Sequence, residues 1–241
     1  MRDRILLLFM CLTLFVGAQA KRRSISVLGD SYSTYECYIP AGYAVWYHEP
    51  YQPERTDVTD VTQTWWHLLC QKRGFKLDTN NSYSGATICN TGYGGKDFTD
   101  RSFITRASQL GCPDIILVFG GTNDSWANVP LGEMKHEGYT ARDLFSFRPA
   151  VSYLARYLVK RYPNTDVYFI LNTELKPEIG QATQEACERW GGQAHHPQGH
   201  KQEVRSSRCG WHAGHSASGE CGCQVSILFR WKQQHYLTKT I

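Results

Sequence analysis

Short apolar runs alternate with longer amphipathic stretches along residues 24–190. Three apolar runs predict strands: residues 24–28 (SISVL), 114–119 (DIILVF) and 167–171 (VYFIL). Apolar residues recur at helical spacing in three further stretches: residues 62–72, 149–162 and 176–190. The run at 114–119 lacks alternation, which is typical of a strand buried on both faces of a parallel sheet. Strands that alternate with helices predict a three-layer α/β/α sandwich with a mostly parallel sheet.

Polar segments that contain glycine follow two of the predicted strands, where open parallel sheets bind ligands. They are residues 29–33 (GDSYS) and 120–124 (GGTND), and a turn-rich segment, residues 83–87 (YSGAT), lies between them. Each segment alone has an ordinary structural interpretation. The first fits a turn with a helix cap, Gly85 fits a turn glycine, and Asn123 fits a capping residue.

Taken together and in this order, the three segments resemble those of the SGNH (GDSL-type) hydrolase superfamily, over roughly residues 24–190. That family has a flavodoxin-like α/β/α fold and hydrolyses esters. The resemblance implies a nucleophile at Ser31. It also implies an oxyanion hole made by the backbone N–H groups of Ser31 and Gly85 and the side-chain amide of Asn123. It implies no cofactor and no metal ion.

The residue types suit this chemistry. A serine hydroxyl is a weak nucleophile until a neighbouring base removes its proton. Gly85 permits close backbone approach, and Asn123 offers an uncharged NH₂ donor to a developing oxyanion. We expect Asp30 to hold the turn through backbone hydrogen bonds and not to act as a base.

The histidine base of the family should follow residue 190, after another apolar strand. Residues 191–224 contain almost no aliphatic residue, and we expect no ordered α/β ending from about Gly192 to Ile241. Three interpretations compete. One is a metal-binding tail that uses Cys209, His212, His215, Cys221 and Cys223, although their spacing matches no standard zinc pattern. Another is a natural low-complexity tail with an unusual catalytic histidine.

The interpretation that we favour is a reading-frame error at Gly191-Gly192. Removing one base there permits a shifted reading with an apolar strand, an aspartate and a Gly-His-Pro sequence. Residues 191–241 are then an irregular tail that lacks the Asp/His block. We assign no histidine as the base and no residue as a metal ligand.

Residues 1–20 have the pattern of a signal peptide. Arg2 and Arg4 precede an apolar run over residues 5–17, and Ala18-Gln19-Ala20 forms a small-x-small cleavage site. The run is short for a bilayer span, although an uncleaved anchor is the alternative. We therefore expect export to the periplasm or the extracellular space, with a hydrolase domain at residues 21–190 and no stable membrane insertion after leader removal.

The composition of the chain limits the classes of protein and of binding partner that fit it. The chain is 41% hydrophobic and 20% charged, which excludes a wholly disordered protein. The formal net charge is +4, and residues 191–241 carry six Lys/Arg against Glu203 and Glu220, so the rest is nearly neutral. This charge gives no case for nucleic-acid binding. The nine cysteines are too scattered for a disulfide scaffold, and the sequence does not pair them.

These observations predict an exported serine esterase whose substrate is a small-molecule or carbohydrate ester, with an O-acyl group on a carbohydrate as the specific hypothesis. Aromatic residues are dense between positions 35 and 66, either as core packing or as a loop that borders the site and suits the flat face of a sugar. A non-catalytic carbohydrate-binding protein on the same scaffold is the alternative, because no histidine of this sequence can be assigned as the catalytic base.

Overall fold

The structure is a computed structural model that describes residues 22–48, 56, 58–172 and 175–191, together with the backbone of residues 225–231. The predicted signal peptide, most of the predicted tail and the Cys/His set proposed for a metal lie outside the described residues. Statements about the tail beyond residue 191 therefore concern the backbone of one strand alone.

The core of the fold is a five-stranded sheet with the order β2-β1-β3-β4-β5. Its strands are β1 (Ser24–Gly29), β2 (Lys76–Ser82), β3 (Ile115–Phe119), β4 (Asp166–Asn172) and β5 (Val225–Trp231). Neighbouring strands from β2 to β4 pair in parallel, and β5 pairs with β4 in the antiparallel direction. The chain passes from β1 to β2 on one side and then returns past β1 to β3 on the other, so the carboxyl ends of β1 and β3 lie side by side.

Helices cover both faces of this sheet, which confirms the predicted three-layer fold. They are α1 (Trp65–Arg73), α2 (Phe103–Arg106), α3 (Thr122–Trp126), α4 (Phe147–Arg161) and α5 (Pro177–Gly191). Alternate side chains of β1 point to opposite faces. Val27 packs against Trp66 of α1 on one face, whereas Leu28 joins the core formed with α2, α4 and α5 on the other.

The predicted strands and helices lie within a few residues of the observed ones. Every residue of β3 is buried, as its unbroken apolar run predicts. Helix α1 ends at Gly74, whose φ of 67° is the left-handed conformation that favours glycine. The sequence analysis missed β2, because KLDTNNS lacks both an apolar run and regular alternation.

The expectation that no strand follows residue 190 is wrong for residues 225–231. This segment pairs with β4 over its whole length and extends the sheet by one antiparallel strand. Its sequence, VSILFRW, is rich in the β-branched and aromatic residues that favour strands. The aliphatic-poor stretch ends at residue 224, so the expected irregular region does not include residues 225–231.

No helix in the described part of the chain is long and apolar enough to cross a membrane. Four cysteines of that part are free thiols: Cys37, Cys70, Cys89 and Cys112. Within the same residues, no group of three His, Cys, Asp or Glu side chains could hold a metal ion.

Candidate active site

Ser31 begins a short 3₁₀-helix, Ser31–Ser33, immediately beyond the carboxyl end of β1. Asp30 caps this helix by accepting a hydrogen bond from the backbone N–H of Tyr32 at 3.2 Å. The expectation that Asp30 holds the turn through a backbone hydrogen bond is therefore confirmed. Gly29 is required here, because a Cβ would lie 2.5 Å from the hydroxyl oxygens of Ser33 and Ser82. Ser31 itself is half-buried at the edge of the sheet.

Ser33, the second serine of the GDSYS segment, anchors the turn. Its buried backbone carbonyl accepts hydrogen bonds from the indole N–H of Trp66 at 3.0 Å and from Asn80 Nδ2 at 2.8 Å. Its hydroxyl accepts a further bond from the indole N–H of Trp65 at 3.1 Å. The turn that presents Ser31 is thus fixed to both α1 and β2, an arrangement that no local pattern indicates.

Gly85 lies in a tight turn between Tyr83 and Ala86, closed by a hydrogen bond from the Ala86 N–H to the Tyr83 carbonyl at 3.1 Å. The φ of Gly85 is 81°, which only glycine adopts without strain. The Tyr83 N–H donates to the carbonyl of Gly29 at 3.1 Å. This bond ties the turn to the end of β1, two residues before Ser31.

Asn123 lies in the first turn of α3, just beyond the end of β3, and is only 3% exposed. Its side-chain Nδ2 donates to the Ala86 carbonyl at 3.0 Å, which joins it to the Gly85 turn. Its Oδ1 accepts a hydrogen bond from the hydroxyl of Tyr93 at 2.7 Å. An asparagine amide carries two N–H hydrogens, so one remains beyond the bond to Ala86.

Asp124 fixes the segment that follows the Gly85 turn. Its buried carboxylate accepts hydrogen bonds from the backbone N–H groups of Ile88 at 2.8 Å and Cys89 at 3.2 Å. Burial raises the pKa of Asp124 to about 6, and these two backbone bonds oppose the rise. The adjacent residues Asn123 and Asp124 thereby hold the Gly85 turn against the end of β3.

A buried acid, Asp30, and a buried guanidinium, Arg106, lie beneath the Ser31 turn. Burial raises the pKa of Asp30 to about 7, although the N–H of Tyr32 and the charge of Arg106 oppose the rise. The Oδ2 atom of Asp30 has no hydrogen-bond partner within the described structure. Burial lowers the pKa of Arg106 to about 10, so this side chain stays charged at neutral pH.

Arg106 uses its charge on backbone carbonyls. Its Nη2 donates to Gly29 at 3.1 Å, its Nε donates to Arg101 at 2.8 Å, and its Nη1 donates to Asn81. The side chain therefore joins the carboxyl ends of β1 and β2 below the site. Sequence reasoning missed Arg106, because it comes from a short helix far along the chain from both strands.

Ser31 Oγ makes no hydrogen bond within the part of the chain that the structure describes, and the histidines of that part are His48, His67 and His136. The Nδ1 of His136 does contact a serine hydroxyl, that of Ser152, at 3.2 Å. Ser152 is fully buried, and the hydroxyl of Tyr139 and the indole of Trp190 also bond to it. This cluster is structural, and the histidines of the tail beyond residue 191 lie outside the described residues.

Aromatic side chains border Ser31. The ring of Tyr32 stacks on Phe119 at a centroid distance of 6.0 Å and meets Trp126 edge-on at 6.4 Å. Trp126 remains 51% exposed, three residues beyond Asn123. In the aromatic stretch between positions 35 and 66, Tyr35, Tyr47 and Trp66 are buried in the core, whereas Tyr38 is largely exposed.

The chain matches the family model of the GDSL-like lipases/acylhydrolases over residues 23–202. It is similar to a crystal structure from Bacteroides ovatus ATCC 8483 described as a GDSL-like lipase. The two share 52% identity, with 70% of this chain and 82% of that chain covered and a TM-score of 0.68. A second protein so described, from Bacteroides uniformis ATCC 8492, shares 48% identity over 71% and 81% of the two chains, with a TM-score of 0.69. No curated protein matches this sequence.

The family match covers most of the chain. The Bacteroides ovatus protein is 52% identical to this chain, which is enough to show a shared fold and family. Both agree with the three-layer fold. The chain therefore belongs to the GDSL-like lipase/acylhydrolase family, within the SGNH superfamily, and is by that resemblance an ester hydrolase.

Proposed function

We propose that the protein is an exported serine esterase that removes O-acyl groups from a carbohydrate, with Ser31 as nucleophile. The backbone N–H groups of Ser31 and Gly85 and the side-chain amide of Asn123 hold the oxyanion. The observation that carries this proposal is the hydrogen bond from Asn123 Nδ2 to Ala86. It joins the two donor segments next to the turn of the nucleophile and leaves one amide hydrogen for the substrate oxygen.

In the first step, Ser31 Oγ attacks the ester carbonyl carbon while a base removes the hydroxyl proton. Negative charge develops on the carbonyl oxygen, which preplaced donors stabilise. The carbon–oxygen bond to the alcohol then breaks, the proton passes to the leaving oxygen, and water releases the acyl group from Ser31. In this proposal the base is a histidine that the shifted reading frame encodes beyond Gly191. It belongs to the version with one base removed and not to the 241-residue chain.

The exposed face of Trp126 supports a carbohydrate as the alcohol. The indole lies against Tyr32, the neighbour of the nucleophile, and half of its surface is free to contact a ligand. Large aromatic faces give apolar contact area at low entropic cost, and the C–H face of a sugar ring packs on such a surface. A bound sugar ring on Trp126 would place a nearby acyl group within reach of Ser31.

A carbohydrate-binding protein without catalysis is the second candidate. It is favoured by one observation: Ser31 Oγ has no hydrogen bond to a histidine in the described part of the chain. On this alternative the same cleft binds an acylated sugar, and no turnover follows. Both candidates predict that Trp126→Ala weakens sugar binding, so activity must separate them.

The test is hydrolysis of a chromogenic acetate ester by the version of the protein with one base removed at the Gly191-Gly192 codons, and by variants of that version. We expect Ser31→Ala to abolish the activity above background, whereas Ser108→Ala, which changes an exposed serine, should leave it unchanged. Activity that survives in Ser31→Ala would exclude the proposed nucleophile. Sugar binding by the version with one base removed, without any Ser31-dependent hydrolysis, would support the binding protein instead.

Export is part of the proposal and has its own test. Cleavage after Ala20 should leave a mature protein that begins at Lys21, because Ala18-Gln19-Ala20 fits the small-residue rule for signal peptidase. Intact mass spectrometry of the protein from the exported fraction measures the new N-terminus. Protein with residues 1–20 still attached would show an uncleaved anchor.

A further inference from the structure

We propose that Tyr93 is a positioning residue that fixes the side-chain amide of Asn123 in the orientation that an oxyanion needs. The inference rests on the proposed function, since it concerns the same site. Its basis is the 2.7 Å hydrogen bond from the Tyr93 hydroxyl to Asn123 Oδ1. No motif in the sequence indicates this contact, because thirty positions separate the two residues.

The loop that carries Tyr93 is built to hold one conformation. An isolated bridge pairs Thr91 with Asp97, and the Gly92 N–H donates to the Lys96 carbonyl at 2.8 Å. Gly92 leaves no space for a Cβ, which would collide with the ring of Phe98. The loop therefore packs closely around its base, and the hydroxyl of Tyr93 reaches Asn123 from a fixed backbone.

An asparagine amide can rotate by 180° about its terminal torsion, which exchanges the donor and acceptor positions. At Asn123 this exchange would turn Oδ1 towards the carbonyl oxygen of Ala86 and Nδ2 towards the hydroxyl of Tyr93. The bond to Ala86 would then be lost. The observed orientation satisfies both contacts, and it leaves the second Nδ2 hydrogen available to an acyl oxygen.

Tyr93 retains its proton under the conditions of ester hydrolysis. Burial raises the pKa of Tyr93, and the negative charges of Asp30 and Asp124 raise it further. The hydroxyl thus remains a donor, and Asn123 Oδ1 remains its acceptor. The ring is 39% exposed, so Tyr93 also forms part of the surface that a substrate would meet.

The first test is a double-mutant cycle that uses Tyr93→Phe, which removes the hydroxyl and keeps the ring. In the version of the protein with one base removed at the Gly191-Gly192 codons, we expect kcat for the chromogenic ester to fall about tenfold with KM within about twofold. In the Asn123→Ala background, Tyr93→Phe should have no further effect, because the group that it positions is gone. An equal loss in both backgrounds would overturn the proposal.

The matched control is Tyr139→Phe, which removes a half-buried hydroxyl that bonds to Ser152 Oγ at 3.1 Å, away from the site. It should leave kcat unchanged, and the thermal midpoints of both phenylalanine variants show whether folding is affected. A loss of activity equal in Tyr139→Phe and Tyr93→Phe would indicate a general effect on stability and would contradict a positioning role.

The second test needs no turnover, so it separates this proposal from the proposed function. The ¹⁵N heteronuclear NOE of Asn123 Nδ2 measures how rigidly the amide is held on the fast timescale. We expect a value close to that of the rigid backbone in the full chain and a clear fall in Tyr93→Phe. An unchanged value would overturn the positioning role, whether or not the chain proves to be an esterase.

Discussion

Arg106 Nη2 donates a hydrogen bond to the carbonyl oxygen of Gly29 at 3.1 Å from a position that is only 1% exposed. A buried guanidinium normally pairs with a carboxylate, but Arg106 donates its hydrogen bonds to the backbone carbonyls of Gly29, Asn81 and Arg101. The charge of Arg106 also lowers the pKa of the buried Asp30. One side chain therefore joins two strand ends and offsets a buried acid beneath the Ser31 turn.

Arg106→Met should destabilise the protein strongly. It removes donors from backbone carbonyls in the interior, and each buried polar group left unsatisfied costs about 1–3 kcal/mol. We expect the free energy of unfolding to fall by about 2 kcal/mol or more in chemical denaturation. Arg161→Met, at an exposed position, is the control and should change it by less than about 0.5 kcal/mol. Equal effects of the two variants would contradict the assigned role.

Asp124→Asn should loosen the Gly85 turn. The substitution replaces one carboxylate oxygen with an NH₂ group, which faces a backbone N–H that needs an acceptor. We expect the free energy of unfolding to fall by about 1–3 kcal/mol. Asp100→Asn is the matched control, since its carboxylate is exposed and pairs only with Arg101 on the surface. If Asp124→Asn is as stable as the unchanged chain, the two hydrogen bonds to Asp124 contribute little to the free energy of unfolding.

Asn123→Ala should lower kcat by about 10²–10³ with little change in KM, because an oxyanion donor acts on the transition state. The measurement uses a version of the protein with one base removed at the Gly191-Gly192 codons, so that turnover is high enough to follow. Asn164→Ala, an exposed asparagine, provides the control and should behave like the unchanged protein. A loss confined to KM would contradict the oxyanion role.

The pH dependence of stability should carry the signature of Asp30. Its pKa is raised in the folded state, so the folded protein binds more protons than the unfolded chain, and stability falls as pH rises from about 4 to about 7. One pKa unit corresponds to about 1.4 kcal/mol. As pH rises across this range, we expect Asp30→Asn to gain about 1–4 kcal/mol of stability relative to the unchanged chain.

Denaturation at several pH values measures this shift, with Asp97→Asn as the control. Hydrogen bonds from the side chain and the backbone N–H of Thr99 lower the pKa of the exposed Asp97, so its variant should show a flat difference above about pH 5. A flat difference for Asp30→Asn as well would mean that Asp30 is ionised at low pH in the folded protein.

The 241-residue chain should have esterase activity at least about 10³-fold below that of the version with one base removed at Gly191-Gly192. Without a positioned imidazole, Ser31 keeps the pKa of an ordinary alcohol and stays protonated near neutral pH. Both proteins must be purified and shown to be folded, because a damaged sheet would cause the same loss. Comparable activities would mean that a histidine already in this chain acts as the base.

Local sequence determined β1, β3, β4 and the three longer helices, and it marked the segment that carries Ser31. Buried strands such as β3 need apolar residues on both faces, and a turn that starts at Gly29 needs glycine, so both can be recognised from a few neighbouring positions. The segments around Ser31 and Asn123 follow predicted strands, whereas Gly85 follows β2, which the pattern does not predict. Family resemblance then supplied their expected roles.

Tertiary structure alone decided what holds those segments together. The last residues of β2 are polar because their side chains make buried hydrogen bonds. Asn80 Nδ2, for example, donates to the backbone carbonyl of Ser33. Tyr93 and Arg106 meet their partners only after the chain has folded, and a hydrogen bond between distant positions leaves no periodicity in either neighbourhood. Hydrophobic burial is repeated along an element and can therefore be read from sequence, whereas a single polar contact depends on where two elements finally pack.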